Sequence, residues 1–281
     1  MPQARSIHVG LNALHADSYR GWEGRLLGCE NDARAMQVLA DARGFTSLML
    51  LHSGATLANV CSALERAASK LTAGDLLLLT YSGHGGSVSD RSGDEPDGCD
   101  ELWCLYDRPL LDDELHARLC AFAAGVRVLV VSDSCYSGSV TRDDRRGASA
   151  TSVPRRSPRR DGSALGRERR APSDHLRAIV RANREEYAER KAAVAPTRTQ
   201  EPAASVLLLA ACEDHQTVRD GDPHGMFTAA LLETWKRGDF NGDYDALREA
   251  IRTKVDPTQT PTLFSTGAPD PEFRAKRPFT P

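Results

Sequence analysis

Three short apolar runs constrain this chain more than any other feature: Asp75–Tyr81 (DLLLLTY), Val126–Ser132 (VRVLVVS) and Ser205–Ala211 (SVLLLAA). None shows the polar alternation of a strand with one wet face, so each reads as a strand buried on both sides of a sheet. Ser6–Leu11 and Ser47–His52 are further strand candidates. Asn31–Ala42, Leu57–Leu71, Asp112–Ala121, Gly225–Lys236 and Tyr244–Val255 carry helical spacing. Strands alternating with helices predict an α/β layered fold with a largely parallel sheet.

One stretch breaks the pattern. Between Arg142 and Arg170 lie ten arginines against four acids, with Ser, Gly and Pro filling the gaps. Its few apolar side chains cannot repay the entropy of ordering it, so 142–172 is expected to be a disordered loop. Asp174–Val194 beyond it has the composition of a charged surface helix. The expectation is one domain over 1–281, interrupted by that arginine-rich loop. A net charge of −3 suggests neither nucleic acid nor an anionic membrane as an obligatory partner. No apolar run reaches the 18 residues of a membrane span, and the first ten residues lack the apolar centre of a signal peptide. Seven irregularly spaced cysteines fit reduced thiols in the cytoplasm rather than a disulfide framework.

Chemistry concentrates where two of the apolar runs end. The first ends in Ser82-Gly83-His84-Gly85, the second in Asp133-Ser134-Cys135. In an open α/β sheet the carboxyl ends of neighbouring strands are where sites form. A thiol nucleophile needs a nearby base or cation, and His84 can supply either role to Cys135. The flanking glycines permit tight turns and close approach of a substrate backbone. Amides at Gly85 and Cys135 are placed to stabilise an oxyanion. The chain has no G-x-x-x-x-G-K-[ST] or G-x-G-x-x-G, and so no phosphate cradle for a nucleotide. Cys99 and Cys104 lack the second pair that a tetrahedral zinc site needs.

Tyr-Ser-Gly-His-Gly (81–85) and Asp-Ser-Cys-Tyr-Ser-Gly (133–138) resemble the His and Cys motifs of metacaspases, including their bacterial relatives, within the caspase-like peptidases. Gly28-Cys29-Glu30-Asn31-Asp32-Ala33 and His224-Gly225-Met226-Phe227-Thr228 resemble that family's early and C-terminal motifs. Tyr136 stands where metacaspases commonly carry His. The resemblance covers about 5–140 and 203–265. It implies a three-layer α/β/α sandwich of the caspase–haemoglobinase type with a mostly parallel six-stranded sheet. It also implies a monomeric cysteine endopeptidase with a Cys135–His84 dyad, acting on protein and peptide substrates with no cofactor required for chemistry. True caspases fit less well, because their nucleophile signature begins Gln-Ala-Cys.

By the same resemblance Cys29, Asp32, Ser82 and Asp133 line the primary specificity pocket. Two carboxylates there repel an acidic side chain and match a guanidinium fork, so cleavage after Arg or Lys is expected. A flexible arginine-rich tether beside its own site has a high effective concentration, which makes Arg146, Arg156, Arg160 and Arg170 candidates for self-cleavage. Asp100, Asp112 and Asp113 resemble three of the acids that bind an activating calcium ion in metacaspases. The fourth position falls at Arg142, a cation that opposes binding, with Asp143 adjacent. Two other readings stand beside this one: a non-catalytic signalling or binding module of the same fold, and a legumain- or separase-like relative with a different preference.

Overall fold

The computed structural model describes residues 2–89, 99–135, 167–213 and 216–281. The strands are β1 (Ala4–Gly10), β2 (Thr46–Leu51), β3 (Leu76–Ser82), β4 (Gly85–Ser89), β5 (Cys99–Cys104), β6 (Pro109–Leu111), β7 (Arg127–Asp133), β8 (Ser205–Ala210) and β9 (Thr262–Gly267). The helices are α1 (Cys29–Asp41), α2 (Leu57–Ala68), α3 (Asp112–Leu119), α4 (Ser173–Ala182), α5 (Arg184–Val194), α6 (Met226–Trp235), α7 (Tyr244–Arg252) and α8 (Pro271–Ala275). Six strands form the central sheet in the order β2-β1-β3-β7-β8-β9. All neighbours are parallel except β8 and β9, so the sheet is mostly parallel as expected.

The apolar runs earn their centrality by splitting between two cores. A strand alternates its side chains between faces. Leu77, Leu79, Val128, Val130, Val206 and Leu208 face one layer, packed with Leu64 of α2, Leu115 of α3 and Leu176 of α4. Leu76, Leu78, Leu129, Val131, Leu207 and Leu209 face the other, with Met36 of α1, Phe227 and Leu231 of α6 and Leu247 of α7. Each such side chain contributes roughly 1.5–3 kcal/mol by leaving water. A run apolar at every position is what a sheet covered on both faces requires.

Register then sets the site. Ser82 at the end of β3 pairs with Asp133 at the end of β7, and Gly10 of β1 pairs with Ser82 on the other side. The second half of the polar cluster leaves the sheet at once: Gly85 opens β4, which joins β5 and β6 in a small antiparallel sheet. The stretch expected as one surface helix over 174–194 is two, α4 and α5, broken at Asn183. Its buried face is real, since Leu176, Ile179 and Tyr187 join the core. Of the arginine-rich stretch, 142–166 lies outside the described residues, whereas 167–172 is placed against the ends of the sheet.

Candidate active site

The carboxyl ends of β1, β3 and β7 and the first turn of α1 close around one side chain, Arg169, which is fully buried. Its Nη2 donates to Asp32 Oδ2 at 2.6 Å and Asp220 Oδ1 at 3.0 Å. Its Nη1 donates to Ser82 Oγ at 2.7 Å and the Asp133 carbonyl at 3.1 Å, and lies 2.9 Å from Asp133 Oδ1. One guanidinium therefore meets three buried carboxylates, and both ends of its fork are used.

Each acid is held in turn. Asp32 accepts the Ser82 hydroxyl at 2.8 Å and the Gly225 amide at 3.2 Å. Asp133 accepts the amide and hydroxyl of Thr228 at 3.1 and 2.6 Å. Burial and the Asp32 charge push the Asp133 carboxyl up to about 6, with Arg169 opposing them. Asp220 accepts the amides of Leu27 and Gly28 at 2.6 and 3.2 Å, at the start of α1. Cys29 Sγ sits 4.0 Å from Asp220, and burial pushes its thiol well up. His224 Nδ1 lies 3.0 Å from Asp32, whose carboxylate raises the imidazole. Gly225 is required here: a Cβ on it would come within 2.3 Å of Arg169 Nη2.

The main chain around Arg169 is bound like an added strand. Arg169 N–H donates to the Val218 carbonyl at 3.0 Å, and the Gly85 amide donates to the Arg169 carbonyl at 3.0 Å. Ala171 N–H returns a bond to the Gly85 carbonyl at 2.9 Å. The segment bridges Gly85 on one side and Arg219 on the other. The Gly85 amide, expected as an oxyanion donor, thus already holds the carbonyl of the residue in the pocket. A Cβ at Gly85 would strike the Cys135 carbonyl at 1.9 Å, which is why this position has none.

Cys135 and His84 follow the neighbouring strands β7 and β3 and make no hydrogen bond to each other. Cys135 Sγ accepts the Val218 amide at 3.1 Å. Burial pushes the thiol up to about 11, with the Val218 amide and the Arg170 guanidinium pulling the other way. His84 Nε2 lies 2.8 Å from the Gly24 carbonyl, and Trp22 packs over the ring at 4.8 Å between centroids. Its Nδ1 is buried without a hydrogen-bond partner. Burial pushes the imidazole down to about 4, while the Gly24 carbonyl raises it. Burial thus favours the uncharged form of both groups.

Arg170, the residue expected for self-cleavage here, points elsewhere: its Nη2 donates to the Gln216 carbonyl at 2.9 Å, and Arg169 takes the pocket instead. Arg146, Arg156, Arg160, Asp143 and Tyr136 lie outside the described residues. Asp220 is the acid that sequence reasoning missed. It follows β8 in a loop with no motif of its own, and only the fold carries it to the start of α1.

The expected calcium acids are close together and engaged with cations. Lys191 Nζ of α5 sits 2.7 and 2.9 Å from the two oxygens of Asp100 and 3.7 Å from Asp113. Arg198 Nη2 is 3.1 Å from Asp113. Asp112 Oδ1 accepts the Asp113 amide at 2.9 Å, at the start of α3. Among the described residues no group of three or more metal-ligating side chains is arranged to hold a metal ion.

A model of the caspase domain matches residues 14–271. The chain belongs to the caspase-domain family. Metacaspase-1 of Saccharomyces cerevisiae is 32% identical over 151 residues, which are 48% of this chain and 34% of the yeast protein. The chain thus spans about a third of the length of that relative. A crystal structure of a Geobacter sulfurreducens protein aligns with a TM-score of 0.83 and 42% identity, over 99% of both chains. Caspase-1 of Spodoptera frugiperda aligns with a TM-score of 0.54 and 14% identity, over 95% of this chain and 86% of its own. That last likeness is one of fold, and it agrees with the mostly parallel six-stranded sheet between helices. No described helix of this caspase-domain chain is long and apolar enough to cross a membrane.

Proposed function

We propose that this caspase-domain chain is a cysteine endopeptidase that cleaves after arginine, and that Arg169 is the first such residue it meets. The observation that carries the reading is the seating of Arg169. Its guanidinium lies between Asp32, Asp133 and Asp220, and its carbonyl lies on the Gly85 amide. A substrate needs those two anchors to present its carbonyl to a thiol. Lysine is accepted less well, because one ammonium cannot reach both ends of a site built for a fork.

In the proposed reaction His84 takes the Cys135 proton as sulfur attacks the Arg169 carbonyl carbon. The Gly85 amide holds the oxygen as it becomes negative. His84 then gives the proton to the amine of Arg170, breaking the peptide bond and leaving an acyl-enzyme on Cys135. Water, deprotonated by His84, hydrolyses that thioester and restores the thiol. Sulfur has to turn from the Val218 amide toward the carbonyl before it can attack, so the occupied site is a resting arrangement. No cofactor enters these steps.

A scan of fluorogenic peptides differing only at the residue before the scissile bond tests the specificity. Arg above Lys, and both far above Asn and Asp, is expected, with no turnover by Cys135→Ala. A preference for Asn or Asp would replace this reading with that of a relative of different specificity. Failure of an Arg-based thiol-reactive peptide to label Cys135 would leave a non-catalytic module.

A further inference from the structure

The acids that the family resemblance assigns to calcium do not fit a metal in this chain. Calcium asks for six to eight oxygens at about 2.3–2.6 Å, gathered around one point. Here Asp100 presents both oxygens to the Lys191 ammonium, and Asp113 is shared between Lys191 and the Arg198 guanidinium. Asp100 and Asp113 are almost fully buried, and the two cations are themselves largely covered, at 15% and 16% side-chain exposure. A divalent ion placed among these carboxylates would sit against two resident positive charges.

We propose that Lys191 and Arg198 are built-in cations that take over the structural task of a metal: they hold the β5 carboxylate and the start of α3 together. The chain supplies them from a suggestive place. The pocket segment at 169 runs into α4, which packs Leu176 on Gly86 of β4, and then into α5. There Arg190 grips Glu114 at 2.5 and 2.8 Å one residue before Lys191. The return of the chain from the active site thus delivers three cations onto α3 and β5. The charge needed to keep these acids buried is covalently part of the fold, and calcium is not required for it. The inference does not depend on peptidase activity, so its test reads binding and stability.

Full-length Cys135→Ala protein, which removes the proposed self-cutting thiol, is the material. Equilibrium dialysis against radioactive Ca²⁺ and thermal melting in EGTA or millimolar Ca²⁺ are the measurements. The expected result is no stoichiometric Ca²⁺ uptake and the same melting temperature in both buffers. Lys191→Met in the same background keeps most of the stem and removes the charge. It is expected to melt at least about 2–4 °C lower in EGTA and to recover part of that loss with Ca²⁺. Stoichiometric Ca²⁺ binding with a raised melting temperature in the Lys191-containing protein would overturn the proposal. So would a Lys191→Met protein that melts unchanged in EGTA. If Lys191→Met fails to fold, the dialysis of the Lys191-containing protein still decides.

Discussion

Replacing Arg169 should move two activities in opposite directions. Its guanidinium is the sole partner described here that touches Asp32, Asp133 and Asp220 together. Breaking a buried ion pair by removing one member costs about 3–5 kcal/mol. If those contacts persist as sulfur attacks, Arg169→Gln slows cutting of the 169–170 bond by roughly 10²–10⁴-fold, at 1.36 kcal/mol per decade. Arg169→Lys keeps the charge and gives up one end of the fork, a loss of about 1.5–3 kcal/mol and a slowing of roughly 10–100-fold. The tethered arginine also competes with added substrate at an effective concentration on the order of millimolar. Uncut Arg169→Gln protein should therefore hydrolyse an Arg peptide faster than the uncut Arg169-containing protein. Gel densitometry follows the first rate and a fluorogenic peptide the second, within the minutes before appreciable cutting. If both rates fall together, Arg169 is merely structural and the reasoning fails.

Other outcomes follow from the same geometry. Asp220→Asn removes a charge from the Arg169 Nη2 site and should lower kcat/KM for Arg peptides by roughly 10–100-fold, the value of one charged hydrogen bond, while labelling of Cys135 by iodoacetamide stays unchanged. Gly225→Ala puts a methyl 2.3 Å from the guanidinium position without altering any charge. It should raise KM for Arg peptides, and a KM left as it was would place the pocket elsewhere. Acid stability tests the buried imidazoles. Burial lowers both His8 and His84 from 6.5 to about 4. The unfolded chain then binds more protons than the native one between those values, and stability falls as pH drops from about 6.5 toward 4. Near pH 5 the slope is about 1.2 kcal/mol per pH unit for each histidine. Urea titrations of Cys135→Ala protein should show it, and His8→Gln should remove about half of the contribution of the pair. Equal slopes in the two proteins would contradict the assignment for His8.

Much of this site was legible because it lies at the ends of the strongest strands. The runs at 75–81, 126–132 and 205–211 are apolar at nearly every position, and a sheet covered on both faces is the economical way to bury them. Once they are parallel neighbours, Ser82 and Asp133 must meet, and the early Asp32 motif lands beside them. The less legible parts have physical reasons as well. The small sheet of β4, β5 and β6 is made of short strands that mix glycines and acids with a few apolar residues, so no local periodicity announces it. Asp220 lies in a loop, where position is a property of the whole fold. Arg169 and Arg170 are alike in composition, and only the strand-like register between Gly85 and Arg219 chooses between them. The arginine-rich stretch is uniform in composition, yet its last residues, Arg167–Ala171, hydrogen-bond through their main chain to Asp220, Val218 and Gly85.

The most direct test of the central claim is the mass of the self-cleavage products of the full-length chain. Purified protein incubated at neutral pH, in parallel with Cys135→Ala, is analysed by intact mass spectrometry and N-terminal sequencing. A new amino terminus at Arg170 is expected, formed by the Cys135 protein and absent from Cys135→Ala. An uncut 169–170 bond in the active protein, or the same cut in both, would contradict it.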